Sequence, residues 1–319
     1  MAYVNADKPH LWKADIVQSI DLYNSWFIQF APQVYRDTRV ETTRFVQDTL
    51  SKTDNLTNIS PELLRQHPEI LPMLRMATAP PIARDRLIGL AEVSSNIVIN
   101  MELYRRLPPR AVATVDQDLA KIGRLILLLA DRDIFPWLDS GVATTEIEVY
   151  RASTIVADRL CGAISDPIVR NAQEQRQLAR IKQWLEARGY TQLKGVKGLT
   201  LTTMPPGSFS FRLNVPVMLD AAKKVNIPVD VVIMPKDAQY GTFPVLIEAK
   251  SAGDYTNTNK RRKEEAVKLA QLKKTYGDDV RFVLFLCGYF DSGYLGYEAA
   301  EGIDWVWEHR IDDLARFGV

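Results

Sequence analysis

Two apolar runs in the second half of the chain are each broken by charge. Pro228-Val229-Asp230-Val231-Val232-Ile233 contains one carboxylate, and Val245-Leu246-Ile247-Glu248-Ala249-Lys250 contains a carboxylate and an amine. Short runs rich in valine and isoleucine read as buried strands. An unpaired charge inside such a strand is strongly disfavoured, so these groups are expected to meet one another, a metal ion or a bound molecule. Alternation along a strand puts Glu248 and Lys250 on one face and Ile247 and Ala249 on the other. If the two strands are hairpin neighbours, Asp230 joins the charged face.

The surroundings read as an α/β domain with a mixed central sheet. A helix from about Asn171 to Arg188 ends at Gly189 and is followed by extended runs at Leu199 to Thr203, Ser208 to Val215, Pro228 to Met234 and Pro244 to Lys250. A charged helix from about Lys260 to Tyr276, an apolar strand from Arg281 to Cys287 and a closing helix near Ile303 to Phe317 complete the order. From Leu11 to about Asp166 the apolar residues return at intervals of three and four, as at Ile16, Ile20, Tyr23 and Phe27, which is helical spacing. Breaks fall at Pro80-Pro81, Pro108-Pro109, Phe135-Pro136 and Gly141, and Ser60-Pro61-Glu62 has the form of a helix start. Leu125 to Leu129 reads as a wholly buried helix. The expected division is a mainly α-helical region, 1–166, ahead of an α/β domain, 167–319.

Composition narrows the chemistry. A formal charge of +1 on 319 residues excludes a protein that coats nucleic acid by bulk positive charge, so any such binding must be local. Only Cys161 and Cys287 are present, which rules out a four-cysteine zinc site, and His10, His67 and His309 would all have to converge to build a histidine centre. No run approaches the roughly 18 apolar residues of a membrane span, and Met1 to His10 lacks the apolar core of a signal peptide. An intracellular protein of the reduced cytoplasm is expected. Neither a GxxxxGK[ST] loop nor a GxGxxG turn occurs, which leaves a small-molecule phosphate enzyme without support.

Two carboxylates beside an open edge suit Mg²⁺, which keeps several waters and completes its shell with phosphate oxygens. The Ala249 carbonyl lies between the functional side chains and could add a ligand. Lys250 would orient or help deprotonate an attacking water, the recurrent arrangement for phosphodiester hydrolysis. An E-x-K triplet is weak by itself; the aspartate inside the preceding strand is what lifts it. A further acid often comes from the leading helix, and Glu174 shares a stripe with Leu178, Ile181 and Leu185, although a plain exposed helix start fits it almost as well. Glu186 falls off that stripe, beside Lys182. After the triplet, the loop Ser251 to Asn259 leads into Lys260-Arg261-Arg262-Lys263, cations at the positive end of a helix dipole. Glu264 and Glu265 compensate in part. Either the helix is a solvated charged one, or DNA phosphate is gripped there.

Asp230 with Glu248-Ala249-Lys250, in a helix, strand, strand, helix, strand order, resembles the PD-(D/E)xK nuclease superfamily, with the proline two positions before the aspartate instead of one. Longer blocks, Ala79-Pro80-Pro81-Ile82 with Asp85-Arg86-Leu87, Met204 to Phe211, Ser251 to Glu265, and Phe285 to Asp291, resemble the XamI-like family of Type II restriction endonucleases. The resemblance implies Mg²⁺-dependent cleavage of double-stranded DNA at a short, palindromic sequence, and a companion methyltransferase that protects the host. By it, Asp230 and Glu248 bind metal and Lys250 positions the water. One such site per chain favours a homodimer on a two-fold DNA site. The helical region would scaffold, dimerise or grip DNA. Candidates for DNA contact are Asn257, Asn259, Lys260, Arg261 and Arg262, since amides pair with adenine and arginine with guanine. Pro205 to Arg212 could approach DNA through Gly207 or simply enter the core, whereas Trp305, Trp307 and Phe317 are expected in the core. A structure-specific repair nuclease and a non-catalytic DNA-binding descendant remain as alternatives.

Overall fold

The computed structural model describes residues 3–109, 111–196, 198–219, 223–256 and 258–319, with residues 259–262 described by backbone alone. Its helices are α1 (Pro9–Lys52), α2 (Pro61–Gln66), α3 (Leu71–Met76), α4 (Arg84–Ala91), α5 (Ser95–Tyr104), α6 (Val112–Leu129), α7 (Trp137–Ser140), α8 (Glu146–Ala187), α9 (Thr258–Tyr276) and α10 (Ser292–Ala300). Its strands are β1 (Thr191–Gln192), β2 (Ser208–Met218), β3 (Lys224–Met234), β4 (Val245–Ala252), β5 (Arg281–Gly288) and β6 (Asp304–Trp307). Two compact units result, one of Ala31–Val169 and one of Met1–Phe30 with Arg170–Val319.

The first unit is helical. Its core gathers Val46 and Leu50 of α1, Leu64 of α2, Leu74 of α3, Leu87 of α4, Ile97 and Val98 of α5, and Leu119, Ile122 and Ile126 of α6. Ser60 caps α2 through the amide of Leu63, as the Ser-Pro-Glu sequence predicts. Gly123 lets α6 approach the segment between α1 and α2 closely, since a Cβ there would lie 2.5 Å from the Ile59 carbonyl oxygen. The leucine run at the end of α6 is not wholly buried: Ile126 is, but Leu128 points outward and is 74% exposed. Five consecutive residues cover more than one full turn, so a helix packed on one side cannot bury them all.

The second unit is built on a six-stranded mixed sheet in the order β1-β2-β3-β4-β5-β6. The β2–β3 and β3–β4 pairs are antiparallel; β1–β2, β4–β5 and β5–β6 are parallel. One face packs Val231, Ile233, Ile247 and Phe285 against Leu178, Ile181 and Leu185 of α8. The other packs Val232, Leu246, Leu284 and Leu286 against Leu269 and Leu272 of α9 and Leu295 of α10.

Several expectations shift for identifiable reasons. The helix expected from about Asn171 begins at Glu146 and runs through Pro167. An internal proline costs about 3 kcal/mol, and burial of Ala152, Val156 and Leu160 before it and of Leu178, Ile181 and Leu185 after it outweighs that. Leu199 to Thr203 is not extended, because Thr200 and Thr203 cap one another around a 3-10 turn. Ile303 to Phe317 does not start as a helix: Asp304–Trp307 is strand β6, with Trp305 and Trp307 fully buried, and only Glu308–Phe317 turns helically. The first thirty residues cluster with the sheet and not with the helical unit. The buried Asp304 carboxylate draws them in, accepting from the amides of Val4, Asn5 and Ala6, while Trp12 meets Trp305 edge-on at 5.5 Å.

Candidate active site

The β3–β4 ladder runs from Ile233↔Val245 to Val231↔Ile247 and stops there, while β4 continues beside β5 as far as Ala252↔Gly288. The next opposed positions, Asp230 and Glu248, therefore stand where two strands fork. The Ala249 amide, which the fork deprives of a ladder partner, donates to Asp230 Oδ2 at 2.9 Å. The aspartate thus closes a sheet that its own strand has left open.

Alternation places Ala249 on the α8 side and turns Glu248 and Lys250 toward α9. Lys250 Nζ lies 3.2 Å from Glu248 Oε1 and 3.0 Å from Glu265 Oε1 of α9. Lys268, one turn on, donates to Glu248 Oε2 at 2.8 Å and to the Pro228 carbonyl at 2.9 Å. Each Glu248 oxygen therefore carries one lysine. From α8, the buried Gln177 amide donates to the carbonyls of Lys250 and Phe285, both at 3.2 Å, and fixes β4 against β5 just beyond the fork.

Asp230, Glu248, Ala249 and Lys250 line a cleft of about 360 Å³ with Arg170, Gln173 and Glu174 among its other walls. Burial, reinforced by the charge of Glu248, pushes the Asp230 carboxyl up to about 6. Burial opposes the charge on Lys250, but Glu248 and Glu265 outweigh it and hold the ammonium above the usual lysine range. Two acids facing one cleft, one of them strained by its neighbour's charge, are a donor set suited to a hard divalent cation. Among the described residues no group of three or more His, Cys, Asp or Glu side chains is arranged as a ready-made cage. An ion here would be completed by a backbone carbonyl, water and substrate oxygens.

Asp230, Glu248 and Lys250, the three residues expected from sequence, and Glu174, the further acid suggested there, all line this one cleft. Glu174 is engaged there, accepting from Arg212 Nη2 at 2.6 Å. Glu186 pairs with Lys182 at 3.6 Å, away from the site. Helix α9 does open on the expected cations, but Asn257 lies outside the described residues, as do the side chains of Asn259, Lys260, Arg261 and Arg262. Within Pro205 to Arg212, the Gly207 amide donates to Met234 and Phe209 is buried, so most of the segment enters the sheet. Lys268 and the inward turn of Glu265 were missed. The signal for both was their place on the stripe of Leu269 and Leu272, three, four and seven residues from Glu265.

Behind Lys250 lies a second buried acid. Burial and the charge of Glu265 push the Glu298 carboxyl up to about 8. From about pH 4.5, where the unfolded group titrates, to about 8, the folded chain retains a proton that the unfolded chain has lost, and stability falls as pH rises. Glu298→Gln should therefore melt above the parent at pH 9, with the gap closing toward pH 5. An equal gap at both pH values would contradict this.

None of the described helices is long and apolar enough to cross a membrane. Residues 54–307 match the family model of the XamI restriction endonuclease. Over 316 residues, 99% of each chain, the sequence is 55% identical to Type II restriction enzyme SalI of Streptomyces albus G. Among solved structures it is similar to protein VC1899 from Vibrio cholerae at 13% identity and a TM-score of 0.28, over 80% of this chain and 55% of that one, which is too loose a likeness to bear on the fold. The family match spans the helices and the sheet alike and contains the whole fork with its acids and lysines. The chain belongs to the XamI restriction endonuclease family.

Proposed function

We propose that the chain is a Type II restriction endonuclease that hydrolyses phosphodiester bonds of double-stranded DNA at a short, specific sequence, with Asp230, Glu248 and Lys250 as its catalytic group and Mg²⁺ as its cofactor. The observation that carries this reading is the fork itself, which gathers two acids and a lysine at one open cleft in a chain of this family. SalI, similar over nearly the full length, is named a Type II restriction enzyme.

Asp230 and Glu248 would hold the cation, with the Ala249 carbonyl as a further ligand. Bound there, Mg²⁺ supplies Lewis-acid stabilisation of the charge that develops on the phosphate and makes water a readier nucleophile. Asp230 can turn its second oxygen to the ion while Oδ2 keeps the Ala249 amide. Lys250, held protonated by Glu248 and Glu265, orients water and the phosphate as a cation, and a charged ammonium cannot act as the base. Lys268 neutralises Glu248 until the site fills. Glu174, on the same cleft, is the outlying acid. We assign Asn257, Asn259, Lys260, Arg261 and Arg262 to contact with DNA, and propose a homodimer whose two-fold axis matches a palindromic site, with a companion methyltransferase in the same cytoplasm.

Incubation of the purified protein with unmethylated plasmid and Mg²⁺, followed by sequencing of the ends, tests the reading. Discrete fragments ending at one sequence are expected. Cleavage confined to branched or damaged DNA would make it a repair nuclease instead.

A further inference from the structure

Arg212 is out of place by local physics. It sits in the middle of β2 with φ +52°, in the left-handed region that glycine enters freely and other residues enter at a cost of about 1–3 kcal/mol. The register Phe211↔Val231 and Leu213↔Val229 puts it opposite Asp230, and the ladder skips that position. The hairpin changes sides at this point. Phe209 and Phe211, with Val231 and Ile233, belong to the core beside α8, whereas Leu213, Val215 and Val217, with Val229, belong to the core beside α9. Alternation would keep all these odd-numbered residues on one face, so the turn of the strand at Arg212 and Asp230 is what swings the outer hairpin toward α9 and opens the fork.

Glycine would serve that turn without strain, yet the position holds an arginine whose side chain is 58% exposed and directed to Glu174 at 2.6 Å. Arg212 also lines a second cleft, about 260 Å³, with Leu193, Gly195, Ser210 and Asn214, and its partner Glu174 lines the first. The pair thus stands at the divide between the two. A guanidinium meets a carboxylate and a phosphodiester through the same planar fork of donors.

We infer that Arg212 grips a backbone phosphate of the strand being cut, exchanging the Glu174 carboxylate for a phosphate oxygen when DNA enters. This rests on the reading of the chain as a DNA endonuclease. The grip fixes the scissile strand over the Asp230–Glu248 cleft.

The test uses full-length protein and a duplex carrying the sequence found at the plasmid ends. Arg212→Gly removes the guanidinium and suits the backbone. It should melt no lower than the parent, lose about 0.9 from the slope of log K against log salt measured without metal, and cut in single turnover at least about a hundredfold more slowly. Arg212→Lys keeps the charge and the backbone demand but loses the fork, so its salt slope should match the parent while its rate falls about tenfold. Parent-like rate and slope in Arg212→Gly, or a parent-like rate in Arg212→Lys should the glycine variant not fold, would overturn the inference. A parent that does not cut DNA would sink the underlying reading instead.

Discussion

Asp230→Asn is expected to abolish DNA cleavage and, in metal-free buffer at pH 8, to make the protein more stable. The ordinary aspartate value of 3.8 holds in the unfolded chain, and burial raises the folded group to about 6. Between those values the native chain holds a proton that the unfolded chain has released, so stability declines as pH rises through the window, and the whole penalty stands above about 6. A shift of that size has a ceiling of about 3 kcal/mol, and a gain of about 1–3 kcal/mol is expected because the cleft is open to water. Asparagine keeps an oxygen for the Ala249 amide, so the fork is retained. Chemical denaturation at pH 8 and pH 4 checks the sign: the variant leads at pH 8 and the lead vanishes at pH 4. Saturating Mg²⁺ should stabilise the parent and leave the variant unchanged.

Lys250→Met is expected to slow cleavage by a hundredfold to a thousandfold or more while the duplex stays bound. It should also destabilise the fold by about 3 kcal/mol, since the buried Glu265 and the partly buried Glu248 lose the cation between them. Adding Glu265→Gln should restore much of that stability and none of the cleavage, because it removes a buried charge and returns no ammonium to the cleft. The double variant separates a lysine that only holds the core together from one that acts on DNA. Recovery of cleavage along with stability would assign Lys250 a structural role alone.

The constellation proposed to be catalytic was legible because strand alternation is strict. Glu248 and Lys250 two residues apart must share a face, and an aspartate in the neighbouring hairpin strand has few other places to go. What the sequence concealed lies on other elements. Glu265 and Lys268 read as ordinary charges of a polar helix, and only their alignment with Leu269 and Leu272 marks them as inward-facing. The left-handed turn at Arg212 carried no signal, since such a residue in a strand follows from tertiary packing and not from local preference. Spacing marks helix on both sides of Pro167 without showing that one helix runs through it, and a four-residue run of Asp-Trp-Val-Trp is too brief to show the period of β6. Residues from Leu11 onward carry helical spacing whichever unit they join; contacts far along the chain, such as those of the Asp304 carboxylate with the amides of Val4, Asn5 and Ala6 and of Trp305 with Trp12, place the first thirty with the sheet.

Diffraction from crystals soaked with Mn²⁺ interrogates the fork between β3 and β4 most directly. An anomalous peak held jointly by the Asp230 and Glu248 carboxylates, and lost in Asp230→Asn, is the expected result. A peak held by other residues, in a protein that still cuts DNA, would contradict it.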